Sequence, residues 1–157
     1  MVLEAEKEQV KGTDATKKRV LFVCTGNTCR SPMAEAVFNR DYADFGFVAE
    51  SAGLFADGSP ISQNAAEALR LCGYDGSAHV SRQLTAEMIR RADLIVGISA
   101  SHMMQIIMAM PEAAAKITSM PKDITDPYGG DLETYRRCLS DIKEGLALLF
   151  ENYGQQI

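Results

Sequence analysis

Val20-Leu21-Phe22-Val23 is an unbroken apolar run, entered from Lys17-Lys18-Arg19 and left through Cys24-Thr25-Gly26-Asn27. A strand that is apolar on both sides has to be covered on both sides, as happens in a parallel sheet flanked by helices. The rest of the chain supplies the matching parts. Phe47-Val48-Ala49-Glu50-Ser51 and Asp93-Leu94-Ile95-Val96-Gly97-Ile98 read as further strands, and Lys116-Ile117-Thr118-Ser119-Met120 as a weaker fourth. Between them the apolar spacing is helical. Ala34, Val37, Phe38, Tyr42 and Phe45 repeat at helical steps from Ser31 to a stop at Gly46, with Pro32 in the first turn. Pro60 is expected to open a second helix with Ile61, Ala65, Ala68, Leu69 and Cys72 on one face and Gly73 as its stop. Short helices are expected over 85–91 and 101–110. Leu132, Tyr135, Leu139, Ile142, Leu146 and Leu149 mark a long last helix. The resulting fold class is α/β, a parallel sheet with helices on both faces and ligands bound beyond the carboxyl ends of the strands. Cys24 stands at such an end.

Length and charge narrow the partners. A chain of 157 residues suits one domain with one core, and a net charge of -5 argues against a nucleic-acid binder. No stretch approaches the roughly 20 apolar residues that cross a bilayer, and no apolar run follows the N-terminal charges as in a signal peptide. The cytosol is the default compartment, with no membrane association expected. Residues 1–18 are polar and mixed in charge and read as a flexible N-terminal extension, with the folded domain spanning 19–157. The four cysteines, Cys24, Cys29, Cys72 and Cys138, are too sparse for a disulfide scaffold. Two histidines and no paired Cys-x-x-Cys argue against a metal site. Free thiols are expected, with Cys72 and Cys138 as core thiols.

The loop Thr25–Cys29 between buried strand and helix carries the chemistry. Gly26 and Asn27 tolerate positive φ. A short loop of such residues can turn successive N–H groups inward, and the next helix adds its own unpaired N–H groups and the positive end of its dipole. A tetrahedral oxyanion fits that nest. The same field favours a Cys24 thiolate able to attack phosphorus. Arg30, six residues on, can fold over the loop and grip two oxygens bidentately, and Ser31 can donate its hydroxyl to the sulfur. Cys-x5-Arg alone is a common spacing. Its position between strand and helix, with Gly and Asn inside the loop, adds considerable weight to a catalytic reading over an inert buried thiol.

Val-Cys-Thr-Gly-Asn-Thr-Cys-Arg-Ser-Pro-Met-Ala-Glu over 23–35 resembles the signature of the low-molecular-weight protein tyrosine phosphatase family. The likeness continues in order through Ser51-Ala52-Gly53, His79 with Ser81-Arg82-Gln83-Leu84, Ala92-Asp93-Leu94-Ile95 and Asp126-Pro127-Tyr128-Gly129, covering about residues 19–155. The resemblance implies a four-stranded parallel sheet, no metal or organic cofactor, and phosphorylated proteins or peptides as substrates. Carried over by position, it makes Cys24 the nucleophile that becomes phosphocysteine, Arg30 the phosphate-binding residue, and Asp126 the general acid and then the base. Thr25, Gly26, Asn27, Thr28, Cys29 and Ser31 would surround the phosphate, and Tyr128 would flank the substrate. Asn27, Ser51 and His79 match a network supporting the loop, and Cys29 matches a second loop cysteine that forms a reversible disulfide with Cys24 under oxidation. His102 matches nothing in that pattern and is expected at the surface. A monomer or weak dimer is expected.

Thr28 departs from the aliphatic residue, usually Ile, of the eukaryotic-type tyrosine phosphatases. With Asp-Pro-aromatic-Gly-Gly over 126–130, it resembles the bacterial protein arginine phosphatase branch. A hydroxyl at the pocket lip suits a cationic phosphoguanidinium, and Gly129 leaves less surface for stacking a phenol. Phosphoarginine is therefore favoured, with phosphotyrosine as the alternative. Thioredoxin-coupled arsenate reductases share a similar loop, but they need two further relay cysteines on a mobile segment and usually carry Gln where Pro32 stands.

Overall fold

The apolar run beginning at Val20 lies in an interior strand of the sheet. In the computed structural model, which describes residues 16–154, β1 (Lys18–Cys24) is hydrogen-bonded in parallel to β2 (Phe47–Gly53) on one side and β3 (Leu94–Gly97) on the other. A short β4 (Ile117–Ser119) extends β3, giving one parallel sheet in the order β2-β1-β3-β4. The α-helices that cover it among the described residues are α1 (Arg30–Asp41), α2 (Gln63–Leu71), α3 (Ala86–Arg91), α4 (Ala100–Ala109) and α5 (Leu132–Tyr153).

Strand alternation decides which helices cover which face. Val20 and Phe22 join Leu94 and Val96 under Val37 and Phe38 of α1, Leu69 of α2 and Leu139, Ile142 and Leu146 of α5. Leu21 and Val23 point the other way and join Ile95 and Ile117 under Met88 and Ile89 of α3 and Ile106 of α4. The two-sided burial expected of the run from Val20 to Val23 thus has its cause in two separate apolar layers.

Several boundaries differ from those expected. Lys18 already belongs to β1 and pairs with Phe47, while residues 1–15 of the expected extension lie outside those described. The first helix ends at Asp41, and Ala43–Phe45 form a separate 3-10 turn before β2. Pro60 does not open α2. It bridges to Val80, and Ser62 caps the helix by accepting from the Ala65 N–H at 3.3 Å. Cys72, expected in the core, is the exposed cap residue after α2, where the helical periodicity has already ended. Among the described residues no helix is long and apolar enough to cross a membrane.

At the carboxyl end of β3, helix and strand meet backbone to backbone. A Cβ on Gly97 would stand 2.5 Å from the Met103 backbone nitrogen and 3.0 Å from its Cα, so the first turn of α4 rests directly on the strand. Both opposing atoms are main chain and cannot rotate aside. Gly97→Ala is therefore expected to cost about 1–3 kcal/mol by overpacking, read as a lower urea midpoint at unchanged m-value. An unchanged midpoint would show that this turn yields freely.

Candidate active site

The loop from Thr25 to Cys29 is shaped from outside. Cys24 O accepts from Leu54 N at 3.0 Å, Thr25 O from Phe55 N at 2.9 Å, and Thr28 O from Ser62 N at 2.9 Å. Asn27 O is bonded to His79 Nε2 at 2.8 Å. A carbonyl only accepts, so Nε2 carries the hydrogen. There is no cis peptide bond among the described residues. In a trans peptide the C=O and the next N–H point in opposite directions. With these carbonyls tied outward to the residues around the loop, the N–H groups of Thr25, Gly26, Thr28 and Cys29 face its centre. Helix α1 follows at once, and Cys29 at its cap position makes no side-chain cap bond. Its first N–H groups and its dipole therefore serve the same centre.

Asn27 closes the ring. It is fully buried, with φ 59 in the left-handed region that asparagine tolerates better than most residues. Arg82 N–H donates to its Oδ1 at 2.9 Å, which fixes the amide orientation. Its Nδ2 then donates to Ser31 Oγ at 2.8 Å and to Ser51 Oγ at 2.9 Å. Ser51 donates its own hydroxyl hydrogen to Glu35 Oε1 at 2.5 Å. Since Ser31 Oγ already accepts from Asn27, its hydrogen is free for Cys24 Sγ, 2.9 Å away. The amide hydrogen on Ser31 Oγ leaves the hydroxyl hydrogen available for the sulfur, the arrangement expected for Ser31. Gly53 at the end of β2 permits the contact, because a Cβ there would meet Thr25 O at 2.7 Å.

The remaining expected residues stand around this ring. Arg30 is 8% exposed; its Nη1 donates to Ile124 O at 3.1 Å and its Nη2 lies 3.6 Å from Asp126 Oδ2. The arginine after the loop therefore reaches the segment bearing the expected acid. Asp126 is half exposed and its Oδ1 accepts from Tyr128 N at 3.1 Å, forming a turn that leaves Tyr128 exposed. The Cys29 thiol is buried behind the loop, 3.4 Å from Tyr135 Oη and 3.6 Å from Ser62 Oγ. Burial first, then the contact with Cys29, pushes the Tyr135 hydroxyl up to about 12, so it stays neutral. Cys138 is buried in α5 with its sulfur 3.7 Å from Thr125 O, and burial pushes that thiol up to about 12. That matches an inert core thiol.

Two residues beside the loop were not expected there from the sequence. Phe55 is 75% exposed and its N–H holds Thr25 O. His102, expected at the surface, is instead 4% exposed with Nε2 3.0 Å from Thr25 Oγ1. The spacing Ser99-x-x-His102 was the available signal, since it forms a capping box at the start of α4.

Groups that can hold a tetrahedral anion around a thiol place the chain among cysteine-dependent phosphatases, and comparison with known proteins narrows the class. The family model described as low molecular weight phosphotyrosine protein phosphatase matches residues 19–157, and the chain belongs to that family. A protein-arginine-phosphatase of Geobacillus stearothermophilus is 38% identical over 133 residues, covering 80% of this chain and 88% of that protein. The crystal structure of a low molecular weight protein tyrosine phosphatase from T. tengcongensis, also 38% identical, aligns with TM-score 0.81 over 87% of this chain and 99% of its own. YwlE arginine phosphatase, in a cysteine-to-serine mutant with a phosphorylated active-site serine, aligns with TM-score 0.82 at 31% identity, over 88% of this chain and 97% of that one.

Asn27→Ala removes the buried amide and places alanine at positive φ. It is expected to destabilise the protein by about 3 kcal/mol and to weaken competitive inhibition by inorganic phosphate at least about tenfold. Denaturation and inhibition curves on one preparation measure both. Wild-type values in each would mean that the loop keeps its shape without this side chain.

Proposed function

We propose that this phosphatase removes phosphoryl groups from arginine side chains of cytoplasmic proteins through a phosphocysteine intermediate. Cys24 attacks phosphorus while the loop N–H groups and Arg30 hold the non-bridging oxygens, and these bonds strengthen as charge spreads in the transition state. Asp126 gives its proton to the departing guanidine nitrogen. In the second step the Asp126 carboxylate takes a proton from water, the water oxygen bonds to phosphorus, and the S–P bond breaks. Ser31, directed at the sulfur by Asn27, stabilises the leaving thiolate.

The observation that carries the arginine reading is Thr28. It is partly exposed within the loop, and a Cβ on Gly26 would lie 3.8 Å from its hydroxyl. A polar group there suits a planar cation. The 38% identity to a protein-arginine-phosphatase supports the reading. Tyr128, 81% exposed beside Asp126, favours the second reading, since an aromatic ring there can stack on a phosphotyrosine phenol. Turnover of phosphoarginine and phosphotyrosine peptides of one sequence decides between them. Phosphoarginine is expected to have the higher kcat/KM. Thr28→Ile should lower the arginine-to-tyrosine ratio by about tenfold, the worth of one hydrogen bond at this site. A preference for phosphotyrosine, or a ratio untouched by the substitution, would overturn the assignment.

Cys29 is assigned a protective role. Peroxide converts the Cys24 thiolate to a sulfenic acid; the Cys29 thiol attacks that sulfur, water leaves, and a disulfide remains that thiol reductants reopen. Forming it exchanges the Cys29 contacts with Tyr135 and Ser62 for the S–S bond. Peroxide-inactivated wild type should recover with dithiothreitol and show the linked peptide by mass spectrometry. Cys29→Ser should recover far less. Equal recovery would remove the role.

A further inference from the structure

His102 is buried in the first turn of α4, and both ring nitrogens are engaged. Nδ1 lies 3.2 Å from Ser99 N and 2.9 Å from Ser99 Oγ. A backbone N–H can only donate, so Nδ1 must be the lone-pair nitrogen. The hydrogen is therefore on Nε2, and Nε2 donates to Thr25 Oγ1 at 3.0 Å. The capping box selects a tautomer, and the tautomer reaches 77 residues back along the chain to the residue after Cys24. Placement is firm, because Met103 is packed on Gly97 and the next residue, Ile98, donates its N–H to Val23 O at 2.9 Å.

We propose that His102 is a positioning residue of the phosphatase: it fills an acceptor position of the Thr25 hydroxyl, so that Thr25 offers its own proton to an oxygen of the phosphoryl group above Cys24. Thr25 follows Cys24 directly in the chain, is exposed, and has its main-chain oxygen tied back to Phe55. A threonine hydroxyl is both donor and acceptor. Only a partner that can donate and nothing else turns it reliably into a donor. A neutral imidazole with Nδ1 occupied by Ser99 is such a partner. Protonation would cost the Ser99 N–H its acceptor. Burial, together with the Arg30 guanidinium and against the pull of Asp126, holds His102 down to about 4. The ring thus stays neutral in the field of both groups while the site works.

The inference rests on phosphoryl transfer at Cys24 and not on which phosphorylated side chain is the substrate, so p-nitrophenyl phosphate is the substrate for its test. Thr25→Val keeps the side-chain shape and is expected to lower kcat about tenfold with KM changed less than about threefold. His102→Leu should lose a similar factor, and the double variant should be no slower than the slower single, because both changes remove one unit. His102→Gln, whose amide can donate in place of Nε2–H, should recover most of the rate. Independent multiplication of the two losses, or a Thr25→Val variant with wild-type kcat, overturns the proposal. Should the His102 variants fail to fold, imidazole nitrogen NMR of the wild-type protein decides. The Nε2–H tautomer should persist unchanged from pH 5.5 to 8, and a Nδ1–H tautomer or a titration in that range refutes it. A wild-type protein inert toward p-nitrophenyl phosphate would instead refute the phosphatase reading, and the spectra would still report on the pair.

Discussion

The buried amide of Asn27 is the contact on which the rest of the site depends. Its backbone is in the left-handed region and its carbonyl is taken by His79. Its side chain is oriented by Arg82 N–H and directs both amide hydrogens to Ser31 and Ser51. Every one of these bonds has a direction forced by a group that can only donate or only accept. The forced direction passes from Arg82 through Asn27 to Ser31, whose Oγ lies 2.9 Å from the Cys24 sulfur. A main-chain N–H on another segment thus decides which hydrogen the serine beside the nucleophile receives.

The loop is short and has little internal structure, so its shape is borrowed. Leu54 and Phe55 beyond β2, Ser62 at the cap of α2 and His79 each claim one of its carbonyls. The inward amides are the consequence. The parallel sheet makes this possible by bringing the carboxyl ends of β1 and β2 to the same edge, with the β3–α4 turn on the other flank. Binding residues on a loop can be rigid when the scaffold around them does the holding.

Much of this was legible in the sequence because the signals are local. The apolar run at Val20, the helical spacing after Ser31 and the Gly-Asn pair between them lie within a short stretch, and together they located β1, the loop and α1. The long α5 was readable from its apolar stripe for the same reason. His102 was not, since its partner is distant in the chain and histidine is an unusual residue at the third position of a capping box, where Glu or Gln is the familiar signal. Cys72 misled because a residue at a helix end can continue the apolar spacing without continuing the buried face. The start of α2 was misplaced for a related reason. Pro60 is a permitted first-turn residue, but here it is engaged in a bridge to Val80, and the weaker signal of Ser62 is the true cap.

Arg30 has one guanidinium and more than one claimant. One arm already holds the main chain at Ile124, and the other is near Asp126. In the proposed reaction the phosphoryl group is gripped by that same planar fork. Occupancy of the anion site and the placement of residues 124–131 are therefore linked equilibria, and linkage works equally in both directions. Whatever free energy a bound phosphate contributes to settling that segment, the settled segment returns as affinity for phosphate. Sequence changes in this segment at positions other than Asp126 and Tyr128 can thus tune from a distance how tightly the anion site is filled.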